Sequence, residues 1–259
     1  MEFLGYIGAL AMGIVLGIMG GGGAILTVPI LTYLFGIEAV RATGYSLFIV
    51  GLTSLIGAVQ PIRSGKVNLK TALTFAIPSM LTVFIMRKFF LPLLPDVLLQ
   101  VGEFALTKNF AVMMLFAIVM LFSAIAMIRP RKIESKPGES HLLRLALQGL
   151  LVGTIAGAVG AGGGFLIIPA LVLLAGLDMK EAVGTSLLII AIQSLVGFSG
   201  ELSHDIDWRF LLSFSAIAIG GILLGGTLAS KIPSQHLKPA FGWFVLLMSA
   251  YIFTKEVMQ

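Results

Sequence analysis

The chain has no cysteine, three histidines and little charge: 12 acidic and 17 basic residues make 11% of 259 positions, against about 25% in ordinary soluble domains. Without cysteine there is no disulfide, no thiolate metal site and no cysteine nucleophile. The scarcity of charge excludes more. Hydrophobic residues reach 58%, and once the apolar runs are set aside no stretch remains that could fold as a water-soluble module of about 100 residues. The net charge of +5 is scattered through connecting segments, so the basic face that nucleic acid would need is missing. No histidine and carboxylate spacing suits a metal ion, and GGGGAILTVP (residues 20–29) lacks the lysine and hydroxyl of a phosphate loop. No metal and no cofactor are expected.

What is there is lipid-compatible. Apolar runs cover residues 3–19, 24–35, 43–59, 71–86, 110–128, 142–159, 165–175, 183–199, 210–230 and 237–253. This is the pattern of an all-α polytopic membrane protein whose first partner is the bilayer. The opening MEFLGYIGALAMG has Glu2 where a signal peptide carries basic residues, and its counterpart in the second half lies mid-chain, so it is expected to stay as structure.

The strongest pattern is a duplication. Residues 13–57 align with 153–197 at a constant offset of 140, with 18 identities in 45 pairs, where apolar bias alone would give roughly 10%. Gly20, Gly23, Pro29, Gly44 and Ser46 recur as Gly160, Gly163, Pro169, Gly184 and Ser186. Repeat 1 is expected over about 3–128, repeat 2 over about 142–254, and a cytoplasmic linker over 129–141. The apolar pieces after the glycine runs, 12 and 11 residues long, are too short to cross a core of about 30 Å. Each repeat therefore reads as four segments that open with a glycine-broken helix hairpin. If each hairpin returns to its own side, the repeats are inverted, which also puts the acidic ELSHDID stretch outside and the basic ASKIPSQHLK loop inside. Residues 88–109 have no counterpart and are expected to form an interfacial helix, with a further span as the alternative.

Chemistry is expected where helices break. A restarted helix aims free N–H groups and the positive end of its dipole into the gap, a ready anion site. Gly20, Gly21, Gly22 and Gly23, and Gly162, Gly163 and Gly164 after Gly160-Ala161, are the candidate cradle. Hydroxyls and an amide in the third segment of each repeat can add uncharged donors: Tyr45 and Ser46, Thr185 and Ser186, and Gln193. Ser54 and Ser194, eight residues beyond Ser46 and Ser186 on one helical face, read more simply as interhelical glue. Gly13-Gly17, Gly149-Gly153-Gly157 and Gly221-Gly225 read as close packing. Glu38 and Asp178 read as helix N-caps. Ionisable residues are nearly absent from the spans, with Arg87 and Lys88 placed at an outer edge. Glu201, His204, Asp205 and Asp207 read as a solvated loop, with a proton relay as the alternative. Gly44-Tyr45-Ser46-Leu47 is not a GxSxG elbow and all three histidines fall in segments read as loops, so the chain is not expected to be an enzyme.

On these residues the chain resembles the sulfite exporter TauE/SafE family. GGGGAILTVP and GAGGGFLIIP, the Gly-(Tyr/Thr)-Ser-Leu that follows each, and GGILLGGTLASKIPSQHLKPAFGWFVLLMSAYIF near the C-terminus carry the resemblance. It implies a two-repeat permease of a prokaryotic inner membrane that moves sulfite, sulfoacetate, thiosulfate or a related organic anion. Two departures stand out: Gly21 faces Ala161 and Ala24 faces Gly164 between repeats, and the first half carries the long insert at 88–109. The expected activity is secondary transport, as an exporter, of a small sulfur-containing or organic anion by alternating access, with a proton or other ion as a coupling partner. A passive anion channel and a non-transporting scaffold are the alternatives.

Overall fold

A glycine run in an apolar helix exposes backbone groups that lipid cannot satisfy, so the run must be folded into protein. The computed structural model, which describes residues 2–101, 104–128, 140–160, 162–173, 175–202, 205–229 and 234–258, does this twice. Helix α1 (Glu2–Met19) enters a 3-10 turn (Gly20–Gly23) and restarts as α2 (Ala24–Pro29). The restart doubles back along α1. A Cβ on Gly8 would lie 3.1 Å from Ile30 Cδ1, and the Tyr6 and Phe35 rings meet edge to face at 5.6 Å. Past Pro29, which has no N–H to continue the ladder, the helix widens into a π turn (Ile30–Leu34).

The first half continues through α3 (Ala39–Arg63) and α4 (Leu69–Ile85), a π turn (Met86–Phe90), the single turn α5 (Leu91–Leu93), strands β1 (Val97–Val101) and β2 (Phe104–Thr107), and α6 (Lys108–Ile128). In the second half α7 (Ser140–Val159) leads to the second glycine run and α8 (Gly164–Leu173) returns beside it, Gly163 abutting Ala156 and Val152. Then follow α9 (Met179–Ser199), α10 (Trp208–Ala229) and α11 (Ser234–Val257). The linker expected at 129–141 lies outside the described residues up to position 139, as do Ala161 and His204.

The halves pack by exchange. Helix α1 lies on α10 and α7 lies on α4, while α3 lies on α9 and α6 on α11. Gly44 abuts Glu201, Gly51 abuts Leu195 and Gly184 abuts Pro61, so α3 and α9 run antiparallel. Gly242 against Ile128, and Ser249 Oγ donating to the Ala117 carbonyl at 2.8 Å, give α6 and α11 the same relation. Small residues set the other two contacts: Gly13 and Gly17 meet Ala218, Gly221 and Gly225, and Gly149, Gly153 and Gly157 meet Phe75, Ser79 and Val83.

The molecule is inside out relative to a water-soluble fold. Leu73, Ile77, Leu81, Leu147, Leu151 and Leu247 are exposed, whereas Ser46, Thr53, Ser54, Thr185, Gln193 and Ser194 are fully buried. Lipid accepts the first set and a polar interior the second. Among the described residues six helical stretches are long and apolar enough to cross a bilayer, the broken hairpin of residues 3–34 counted as one. The chain is an integral multi-pass membrane protein.

Several sequence expectations need correction. The interfacial helix expected at 88–109 is instead a helical extension followed by an antiparallel hairpin, in which Val101 pairs with Phe104 and Val97 with Thr107. Pro95 forces Leu94 out of the helical region (ψ 129°), and VLLQV then supplies β-branched ends. Asp178 caps α9 as expected, accepting from Lys180 and Glu181 N–H at 2.8 and 3.1 Å. Glu38 makes no such cap and accepts instead from Asn109 Nδ2 at 2.6 Å. His141 and His236 stand in the first turns of α7 and α11, not in loops. Arg87 is not at an outer edge: it is buried, 1% exposed.

Two alanine substitutions test the packing. A Cβ on Gly13 would collide with the Ala218 carbonyl, whereas one on Gly220 would meet nothing within 4 Å. Gly13→Ala should cost about 1–3 kcal/mol through overpacking, and Gly220→Ala should stabilise by up to about 1 kcal/mol from helix propensity. The unfolding midpoints of the purified variants in detergent check both.

Candidate functional site

The two glycine runs meet: Gly21 and Gly164 approach so closely that a Cβ on either would collide with the backbone of the other. Around the glycine runs these are the two places where glycine in one half aligns with alanine in the other, so the mismatch seen in sequence falls at the point of contact. The breaks also differ in conformation. The first turns only Gly20 into the left-handed region (φ 60°), while the second does so at Gly160, Gly162 and Gly163 (φ 72°, 63° and 61°), a geometry that only glycine adopts without strain.

Side chains of α9 line the second break. Gln193 Nε2 donates to the Gly162 carbonyl, satisfying one unwound backbone acceptor. A Cβ on Gly162 would lie 3.0 Å from Ser194 Oγ, and one on Gly163 would lie 3.2 Å from Gln193 Nε2. Across the helix crossing, Thr53 and Ser54 occupy the matching positions of α3. The Oγ atoms of Ser46, Ser54 and Ser194, Thr53 Oγ1 and Gln193 Oε1 are buried with no hydrogen-bond partner. An unpaired buried polar group costs roughly 1–3 kcal/mol, so each of these atoms calls for a partner that the protein's own side chains do not supply.

Two other candidates are spoken for by the scaffold. Tyr45 Oη accepts from the Asp207 N–H at 2.9 Å and Thr185 Oγ1 accepts from the Asn68 N–H at 3.0 Å. Asp207 and Asn68 stand at the starts of α10 and α4, so corresponding hydroxyls anchor corresponding helices. Ser186 Oγ donates to the Val183 carbonyl at 2.8 Å and lies 2.7 Å from where a Cβ on Gly20 would stand. Gly22 and Gly23 are buried in the first turn.

Each break opens toward a different end of the bundle. A cavity of about 110 Å³ near the first is lined by Gly17, Gln60, Ser64, Lys66, Lys180 and Gly184. A cavity of about 360 Å³ near the second is lined by Arg41, Gly44, Tyr45, Lys108, Glu201 and Asp205. Between that second cavity and Gly160 lies Arg87, whose Nη1 pairs with Glu201 Oε1 at 3.1 Å. Sequence reasoning missed this residue because it ended the fourth span at Met86. The helical turn runs on to Phe90, which carries Arg87 against Gly160 and Gly200. The second glycine of Arg87's contact, Gly200, follows the α9 terminus, a spatial relation invisible in a local pattern. Among the described residues no group of three or more metal-ligating side chains is present.

Removing either anchoring hydroxyl leaves a partly buried N–H unpaired. Tyr45→Phe and Thr185→Val should each cost about 1 kcal/mol, read as a lower unfolding midpoint in detergent.

Comparison with known proteins agrees with this architecture. A family described as sulfite exporter TauE/SafE matches residues 5–252. A "Probable membrane transporter protein" of Xylella fastidiosa (strain 9a5c) is 29% identical over 251 residues, covering 93% of this chain and 90% of its own. One of Methanocaldococcus jannaschii is 29% identical over 247 residues, with 88% and 87% covered. YdhB of Bacillus subtilis, also named a probable membrane transporter protein, is 26% identical over 234 residues, with 88% and 91% covered. With two broken helix hairpins in contact at the core of a multi-pass bundle and a match over nearly its whole length, the chain belongs to the sulfite exporter TauE/SafE family.

Proposed function

We propose that the protein is a secondary transporter that carries a small sulfur-containing or organic anion out across a prokaryotic inner membrane by alternating access. The observation that carries this is the meeting of two helix breaks among buried, partnerless hydroxyls, with a cavity on each side. Discontinuous helices at a repeat interface are where such carriers hold substrate. In this proposal the cradle is formed by Gly20–Gly23 and Gly162–Gly164, with Ser46, Ser186 and Gln193 as uncharged partners. Tyr45 and Thr185 fix the helices around it.

The halves are inverted repeats in this account. Corresponding helices that lie antiparallel, α3 on α9 and α6 on α11, support a twofold axis in the membrane plane rather than along its normal. Lys66 and Lys180 line the cavity at the end where α4 begins, and α7 starts at the same end; with the basic linker sequence, this supports that face as the cytoplasmic one. The close contact of Gly21 with Gly164 favours a carrier over a passive pore, since backbone meets backbone where the two breaks come together. Movement of one repeat against the other would open one cavity as it closes its counterpart.

Purified protein in liposomes, supplied with radiolabelled sulfite, sulfoacetate and thiosulfate, tests this. Saturable flux that responds to an imposed pH gradient is expected. Linear flux that follows voltage would mean a pore, and no flux of any of the three would refute anion transport. In the same assay Gly22→Val and Gly163→Val should abolish flux while the protein still inserts, because a side chain would occupy the space in front of the backbone donors. Normal flux in both variants would remove the cradle from the mechanism.

A further inference from the structure

The two breaks are unequal in one respect that neither symmetry nor packing requires. Beside Gly160 stands the guanidinium of Arg87, whereas the groups nearest the corresponding Gly20 are Ser186 and Val183. Arg87 is among the largest fully buried side chains of the molecule. Its Nη1 is paired with Glu201 at 3.1 Å, but Nε and Nη2 have no hydrogen-bond partner. Nη2 lies 2.5 Å from where a Cβ on Gly160 would stand, so that glycine is what admits it to the break. A structural arginine at this depth would be expected to use its five donors, because a buried ionic group with unmet hydrogen bonds is expensive.

The surroundings point the same way. Helix α8 starts at Gly164 and runs back along α7, so its N-terminus, with unpaired N–H groups and positive dipole, faces the end of the bundle where Arg87 lies. Glu201 is 18% exposed in its side chain and lines the larger cavity, with its carboxylate 3.3 Å or less from the Cβ position of Gly44. One side of the guanidinium thus meets a carboxylate that borders the cavity, and its unmet Nη2 meets the break.

Building on the transporter proposal, we infer that Arg87 is the fixed positive charge that binds the transported oxyanion, and that Glu201 is the internal carboxylate the anion displaces. An arginine fork matches two oxygens of a sulfonate, sulfite or carboxylate, a geometry a lysine point charge does not supply. With no anion present, Glu201 holds the guanidinium and closes the second break from its cavity. An arriving oxyanion takes the guanidinium and the α8 N-terminus together, and the released carboxylate turns to the cavity. Because uncharged Ser186 and Val183 stand nearest Gly20 at the first break, the charge acts on one side of the membrane only.

The test is the concentration dependence of radiolabelled sulfite and thiosulfate flux in liposomes for wild type, Arg87→Gln, Arg87→Lys and Glu201→Gln. Loss of the fork should raise the apparent KM at least about tenfold in Arg87→Gln, with Arg87→Lys intermediate. Removing the competitor should lower it about threefold or more in Glu201→Gln. Opposite signs in the two single variants are the mark of competition. A purely structural ion pair predicts instead that both lose thermal stability together with KM unchanged, and that result would overturn the inference while leaving transport intact. If Arg87→Gln does not fold, Glu201→Gln decides: a lowered KM supports the exchange, and an unchanged or raised one overturns it. Absence of flux in the wild type would refute the transporter proposal itself, a result distinct from either.

Discussion

Everything in this fold answers to one constraint: backbone N–H and C=O groups freed by two glycine runs must be satisfied far from water. The solution is to press the two runs against one another at Gly21 and Gly164 and to enclose them between α3 and α9. That contact requires both helices to carry small or polar residues where they face the breaks, and both do. Gln193 caps the Gly162 carbonyl, and glycines at 44, 51, 184 and 197 let the two helices approach each other and α4. The exchange of α1 onto α10 and α7 onto α4 follows, since each hairpin is held between its own third segment and a helix of the other half.

The same constraint produces the site. Unwound backbone in lipid is tolerated only where it is buried in protein or lines a cavity, and here it is buried, with a cavity near each break. The buried hydroxyls around it have no partners, and the one buried guanidinium described in the bundle is only partly paired. In a folded core such gaps would be penalised; under the transport proposal they are the empty half of a binding reaction. The breaks are unequal in conformation, one a 3-10 turn and the other holding three left-handed glycines.

Much of the fold was legible because its signals are local. An apolar run, a glycine cluster and a proline six residues into a restart can be read one segment at a time, and the duplication gave each reading a second copy. The hairpin at Val97–Thr107 was missed because prolines and acids look alike in an interfacial helix and in a helix that stops; only strand pairing distinguishes them. Glu38 and Asp178 align between the repeats, yet one meets Asn109 and the other its own helix. Identity of position did not carry identity of partner.

By itself the sequence determined the membrane class, the duplication and the places where helices must break, since these follow from hydrophobic length and from residues that cannot sustain a helix. The tertiary structure alone decided which polar groups meet. Arg87 and Glu201 are 114 residues apart, and their pairing depends on how a helical turn past Met86 packs beside the second break. No local pattern encodes that, because the energy of a buried charge is set by the neighbours that folding brings to it.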